Sequence, residues 1–254
     1  MELFEAQPIE LFRDCIVSYL TVYDLARFDT ACTSHKFRDI LMARILNATL
    51  PDPNLLYPNN FFLWLRSRQI FLSSIKLDDS MVQFLFENSH VISRVTNVVI
   101  ERPNELQQTL RLSTVFPNLI SVRVSKGDYL TDDGMISIFI ALNDLQNFTL
   151  EDCRKVGDKS IIMLSDSLTG LLVLVLYNCT LITDEAIICI SNKCSKLLKL
   201  TIVYSNNPIQ IQPEQISNSG MSAVLSKCTR LTSLIFHNFV LLAGCYLKKC
   251  SVVD

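Results

Sequence analysis

LLVLVLYNCTLITDEAIICISNKCSKL, residues 171–197, sets the reading of the whole chain. It opens on six consecutive aliphatic residues, passes a turn at Cys179, and reaches Ile182-Thr183-Asp184, a helix-start signal. Ala186, Ile187 and Ile190 then recur at helical spacing, and Cys194 stands three residues before Leu197, where the pattern begins again. Sliding the apolar template LxxLxL along the chain finds starts at Leu72, Val95, Leu119, Leu145, Leu171, Leu197 and Leu231. The steps are 23, 24, 26, 26, 26 and 34 residues. Other slots keep the same phase: Asp132, Asp158 and Asp184, then Asn218 after the longer step; Cys153 with Cys179; Cys194 with Cys228.

Each slot has a physical role. Alternation in LxxLxL turns the spaced apolar residues to one side of a short strand. A short polar side chain in the Asp slot accepts the unpaired N–H groups at a helix start. Cysteine fits a tight turn as a compact hydrophobe. A strand–turn–helix–return unit cannot bury its own apolar face, so neighbours must stack to form the core. The expected fold is an α/β right-handed solenoid of about seven strand–helix units with a parallel sheet, over residues 72–254. Relative to the 26-residue unit, 203–217 carries eight extra residues with Pro208 and Pro213, an expected exposed loop. The last strand is followed by a shortened apolar stretch and SVVD, so either Phe239–Leu247 caps the array or the array continues past it.

Residues 119–236 resemble the cysteine-containing leucine-rich repeat, L-x-x-L-x-L-x-x-C followed by an Ile-Thr-Asp helix start. Residues 72–118 match by spacing alone.

The amino-terminal part has another texture. IELFRDCIVSYL (9–20) and DLARFDTAC (24–32) read as two helices, with a third over 35–47. Three of the chain's eight prolines fall within 47–60, and order resumes at FFLWLRSRQIFL, 61–72, where Trp64 reads as a packing anchor. The expected division is a helical domain at 1–46, a linker with the helix leading into the array at 47–71, and the solenoid at 72–254. YLTVYDLARFDTAC resembles the centre of an F-box, with Tyr19, Leu20, Asp24, Leu25 and Cys32 on its slots. Pro8 is one residue early for the usual Leu-Pro, Ala31 replaces a Val, and His35 holds the aromatic slot. Together the two resemblances are those of F-box/leucine-rich-repeat proteins, substrate receptors of cullin-based ubiquitin ligases. They imply a Skp-type adaptor held by Leu11, Ile16, Leu20, Leu25, Cys32 and Phe37, and a protein substrate held by the repeats. The other reading of the same six residues is the core of a three-helix cap on a free-standing interaction solenoid.

A substrate would meet the strand residues that alternate with the inward ones. These include Arg123, Glu151, Val173, Val175, Tyr177, Lys199, Val203, Ile235 and His237, with the later strands unusually apolar.

Composition excludes several classes. Hydrophobic residues make up 49% and charged residues 19%, which argues against disorder. A net charge of −2 argues against nucleic acid or an anionic membrane as partner. No phosphate-binding glycine loop occurs. The start lacks a secretory signal, so nine cysteines read as reduced thiols of a cytoplasmic or nuclear protein. Two uncharged 17-residue stretches, 167–183 and 231–247, sit at the short limit for a membrane span. The first reads as strand plus loop, and only the second retains a tail-anchor reading. His35, His90 and His237 lie in no catalytic or zinc-binding spacing. The expectation is recognition without catalysis, metal or cofactor.

Overall fold

A computed structural model describes residues 22–31, 35, 38–39, 49–50, 59–77, 89–103, 112–140, 142–204 and 216–237. A short parallel pair, β1 (Thr49–Leu50) with β2 (Phe71–Leu72), precedes a seven-stranded parallel sheet. Its strands are β3 (Ser74–Leu77), β4 (Asn97–Glu101), β5 (Ser121–Ser125), β6 (Asn147–Glu151), β7 (Val173–Tyr177), β8 (Lys199–Val203) and β9 (Ser233–His237). They lie side by side in sequence order, so every crossover joins neighbours. Each expected apolar triplet supplies one rung. Leu72 itself belongs to β2, one residue before Ser73 breaks the strand.

Register is fixed at both ends of each rung. Before each strand, one carbonyl accepts two N–H groups from the next unit. Ser73 O takes those of Thr96 and Asn97 at 2.9 and 3.0 Å, and Thr96, Ile120, Gln146, Leu172 and Leu198 repeat the pattern. After the strands, Arg102, Lys126, Asp152 and Asn178 all adopt left-handed backbone, with φ of 53–55°. That turn aims each N–H at the last carbonyl of the following strand, at 2.8–2.9 Å. The conformation is uphill for residues with a Cβ. Here it is offset by a backbone hydrogen bond in each of these four turns.

Helices α1 (Val22–Ala31) and α2 (Asn59–Ser67) belong to the amino-terminal part, and the short α3 (Ser89–Ile92) and α4 (Leu112–Val115) to the first repeats. Full-length helices then follow: α5 (Asp132–Phe139), α6 (Asp158–Ser165), α7 (Asp184–Lys193) and α8 (Asn218–Lys227). They bury Met135, Ile138, Phe139, Ile161, Leu164, Ala186, Ile187, Ile190 and Val224 against the inward residues of the strands. Phe139 meets Phe148 edge to face, ring centres 5.0 Å apart.

The Asp slot works differently from the expectation. The residue before it is the cap: Thr131, Thr183 and Ser217 each accept an N–H of their own helix. The Asp reaches into the next unit. Asp132 Oδ1 accepts from Gly157 N at 2.9 Å and Ser160 N at 3.3 Å. Asp158 accepts from Thr183 N at 2.7 Å and Oγ1 at 2.5 Å. Asp184 accepts from Ser217 N at 2.7 Å, Gly220 N at 3.1 Å and the Ser217 hydroxyl. Gly157 caps α6 with no side chain, and Asp132 supplies the missing acceptor. One carboxylate thus satisfies the next helix start and clamps two units together.

At the other end of the array, one carboxylate of α1 draws three donors together. Asp29 is 1% exposed and accepts from Arg38 Nε at 2.6 Å, Trp64 Nε1 at 2.7 Å and an Arg68 guanidinium nitrogen at 3.2 Å. Burial alone would raise its pKa; the bonds from Arg38 and Trp64 and the charges of Arg68 and Arg38 outweigh that and hold it low. Trp64, read as a packing anchor, packs against the core and also donates this bond.

Two boundaries shift by two residues: α1 begins at Val22 rather than 24, and α2 at Asn59 rather than 61. The expected helix at 9–20, the loop at 205–215 and the stretch 238–254 lie outside the described residues.

Candidate interaction face

The strand positions opposite the helices form three rows across the sheet. The middle row runs Lys76, Val99, Arg123, Thr149, Val175, Thr201, Ile235. One flanking row runs Glu101, Ser125, Glu151, Tyr177, Val203 and, by backbone register, His237. The other runs Ser74, Asn97, Ser121, Asn147, Val173, Lys199, Ser233. Among the described side chains none of these positions is buried, whereas their neighbours Val122, Val124, Phe148, Leu150, Leu174, Leu176, Leu200, Ile202 and Leu234 all are. The expected face residues therefore share one surface.

That surface has two halves. Over β3–β6 it is ionic. Lys76 and Lys126 both hold Glu101, the latter at 2.5 Å, and their hydrogen bonds pull its pKa down to about 2. Arg123 places Nε and a terminal nitrogen on one Glu151 oxygen, at 3.1 and 2.7 Å. Arg123 remains 55% exposed, against 23% for Glu151. Lys76 and Lys126 were absent from the residues picked by sequence. Lys76 was legible from alternation, while Lys126 sits in the left-handed slot, whose residue type varies from unit to unit.

Over β7–β9 the face is richer in apolar residues, interspersed with Lys199, Thr201, Ser233 and His237. Val173, Val175 and Tyr177 line β7, Val203 ends β8 and Ile235 sits in β9; all are partly or well exposed. Lys199 is the cation beside them. Thr201, between Val175 and Ile235, has a buried Oγ1 with no hydrogen-bond partner among the described residues.

Four of the described cysteines, Cys153, Cys179, Cys194 and Cys228, lie in the core. Cys194 Sγ donates to Leu168 O of the preceding unit at 3.2 Å, and Cys179 to Tyr177 O at 3.5 Å. Burial pushes the thiols of Cys153 and Cys194 up to about 12 and raises those of Cys179 and Cys228. Burial favours the protonated thiol, which is a poor nucleophile.

Of the six expected adaptor contacts, Leu25 is described, and it is 1% exposed and part of the hydrophobic core. Its side chain faces inward rather than presenting a surface. Leu11, Ile16, Leu20, Cys32 and Phe37 lie outside the described residues. Among the described residues no group of histidine, cysteine and carboxylate side chains is placed to hold a metal ion, and no helix is long and apolar enough to cross a membrane. The uncharged stretch 167–183 contains β7, as expected for it.

No family model matches the chain, and no curated protein matches it. Among solved structures it is similar to a chain of the crystal structure of the Rad7 and Elc1 complex in yeast. The TM-score is 0.55 at 16% identity, covering 84% of this chain and 69% of that one. The likeness is one of fold, an open leucine-rich-repeat-type solenoid.

Proposed function

We propose that this protein recognises other proteins through the open face of its sheet, as the substrate receptor of a cullin-based ubiquitin ligase. The observation that carries recognition is the apolar half of that face. Val173, Val175 and Tyr177 share β7, Val203 pairs with Tyr177 from β8, and Ile235 lies on β9 beyond Thr201, all on one regular surface outside the core. Contiguous exposed apolar area on a rigid scaffold is what a binding site presents. The repeats hold the substrate, and the amino-terminal segment, which resembles an F-box, takes a Skp-type adaptor. The likeness to a chain from the Rad7 and Elc1 complex supports a solenoid that works within an assembly. The chemistry belongs to the partners, and this chain contributes proximity. The burial of Leu25 favours the second reading, a free-standing interaction solenoid with a helical cap, for that one residue.

The test is capture of the full chain on an immobilised Skp-type adaptor. Binding is expected, and Leu20→Asp should abolish it while the circular dichroism of the repeats is unchanged. Leu25→Asp is unsuitable, because a buried charge there would damage the core. No binding by the folded wild-type chain would discard the ligase role and leave the free-standing solenoid.

A further inference from the structure

Each unit of a solenoid is covered on its far side by the unit that follows. Among the described elements α8 and β9 are the last helix and strand, and slots that are buried upstream open there. Leu225 takes the slot of Phe139, Ser165 and Ser191, all buried, yet it is 43% exposed. Phe236 takes the slot of Leu150, Leu176 and Ile202, also buried, and is only partly covered. Met221 and Leu231 show the same contrast with Ile187 and Leu197. Met221, Leu231 and Phe236 pack against the core, so this end is an apolar face continuous with it.

The chain that leaves β9 carries a pattern in phase with that face. From strand end to helix end, Tyr177 to Lys193 spans 16 residues, and the same interval from His237 reaches Val253. Five residues beyond the strand, Leu242 falls on the slot of Leu130, Val156 and Ile182. Ten residues beyond it, Leu247 falls on the slot of Met135, Ile161 and Ile187. All six of those upstream residues are buried. Ser251 falls on the slot of the buried Ser165 and Ser191, and Val252 on that of Ile140, Asp166 and Asn192, which are exposed. No charge occurs within 238–247. Two slots depart from the pattern. Asn218 stands where Asp184 clamps the preceding pair of units, and Tyr246 where Gly220 admits that carboxylate. Apolar contact, rather than a carboxylate clamp, is therefore what this segment offers. Tethered to β9, it meets the end face at an effective concentration on the order of millimolar, which a second copy reaches only in concentrated solution.

We infer that residues 239–251 fold back over the last unit, with Leu242 and Leu247 set against Met221, Leu225, Leu231 and Phe236. The uncharged stretch 231–247 then closes the core of the array instead of entering a membrane. This end is a different surface from the open face of the sheet, and its covering does not depend on what that face binds.

The test is hydrogen exchange of the full chain, read by mass spectrometry. Peptides within 239–251 should exchange at least about tenfold more slowly than unstructured chain. Leu247→Asp should speed exchange about tenfold or more in 221–236 and 239–251. Unchanged exchange in 145–177 shows that the array of that variant is folded. Val252→Asp, at an exposed slot, should change neither region. Leu225→Lys, on the other side of the contact and already partly exposed, should speed exchange in 239–251. Unstructured exchange of 239–251 in the wild-type chain overturns the inference, as does indifference to Leu247→Asp or Leu225→Lys, or an equal effect of Val252→Asp. So does flotation of the full chain with phosphatidylcholine vesicles, since the segment would then be an anchor. A dimer in light scattering that Leu225→Lys makes monomeric also overturns it, since the occupant would then be a second copy.

Discussion

The middle of the array and its amino-terminal junction are held together in opposite ways. Between β4 and β9 each fastening recurs: the shared carbonyl, the left-handed turn, and from α5 onward the Asp that caps the following helix. At the junction one carboxylate, Asp29, gathers Arg38, Trp64 and Arg68. Repetition spreads the load, so losing one fastening leaves equivalent ones a unit away. A buried anion that does not recur along the array has no equivalent a unit away. If the amino-terminal segment holds one protein and the sheet another, Asp29 sets the geometry between them.

The comparison breaks most sharply at Asp29. Asp29→Ala removes one acceptor shared by two guanidinium groups and an indole N–H. Removing one partner of a buried ion pair costs about 3–5 kcal/mol. The arginines are about one-third exposed, at 34% and 31%, so solvent recovers part of that. The expected loss is about 2–3 kcal/mol, read from the urea midpoint. Limited proteolysis should cut before residue 72 first and leave the repeats intact. Asp29 has a lowered folded pKa, so its contribution is present above the ordinary carboxylate range and fades on acidification. An unchanged midpoint and cleavage pattern would show that the junction is secured elsewhere.

Two glycines measure the repeated clamp at two units. A Cβ at Gly220 would land on Asp184 Oδ1, the atom that caps α8. Gly220→Ala must push that carboxylate aside, and overpacking of this kind costs about 1–3 kcal/mol. At Gly157 the nearest atoms to a Cβ are Leu181 O at 3.2 Å and Leu181 Cβ at 3.4 Å, while the Asp132 carboxylate stays 3.6 Å away. The clamp survives there, and the lower entropy of unfolded alanine recovers about 0.4–1 kcal/mol. Gly220→Ala should therefore be the more destabilising in chemical denaturation. The reverse order would remove the inter-unit carboxylate as the reason these glycines are small.

How far the sequence foretold this depends on the range of each interaction. The rungs were legible because alternation and a 26-residue phase are local and repeat, and the open face followed from the same alternation at Arg123, Val175 and Ile235. The true direction of Asp132, Asp158 and Asp184 was not legible: a capping Asp looks the same whichever helix it serves. The left-handed slot holds Arg, Lys, Asp and Asn, two of them ordinary strangers to that conformation, so composition gave no warning. Asp29 meets Trp64 and Arg68 across 35 and 39 residues, with no periodicity to link them. Leu25 was chosen by resemblance, and burial distinguishes a surface leucine from a core one only in three dimensions.

The smallest expected effect lies on the ionic half of the open face and sharpens its contrast with the apolar half. Lys126 and Lys76 lower the pKa of Glu101 from its ordinary 4.5 to about 2. Because the folded value lies below the unfolded one, the network stabilises the protein fully above the ordinary value. That stabilisation is lost as pH falls toward about 2. Both lysines are substantially exposed, at 31% and 50%, so the contribution is that of a surface pair, about 0–1 kcal/mol. Glu101→Gln should leave the urea midpoint nearly unchanged near the acid end and lower it slightly at about pH 6. Added salt should shrink the difference, because exposed charges are screened. Val175→Ser, on the apolar half, should show neither dependence. A salt-insensitive loss of more than about 2 kcal/mol for Glu101→Gln would mean that this carboxylate is a structural anion like Asp29, and the division of the face into a solvated ionic half and an apolar docking half would fail.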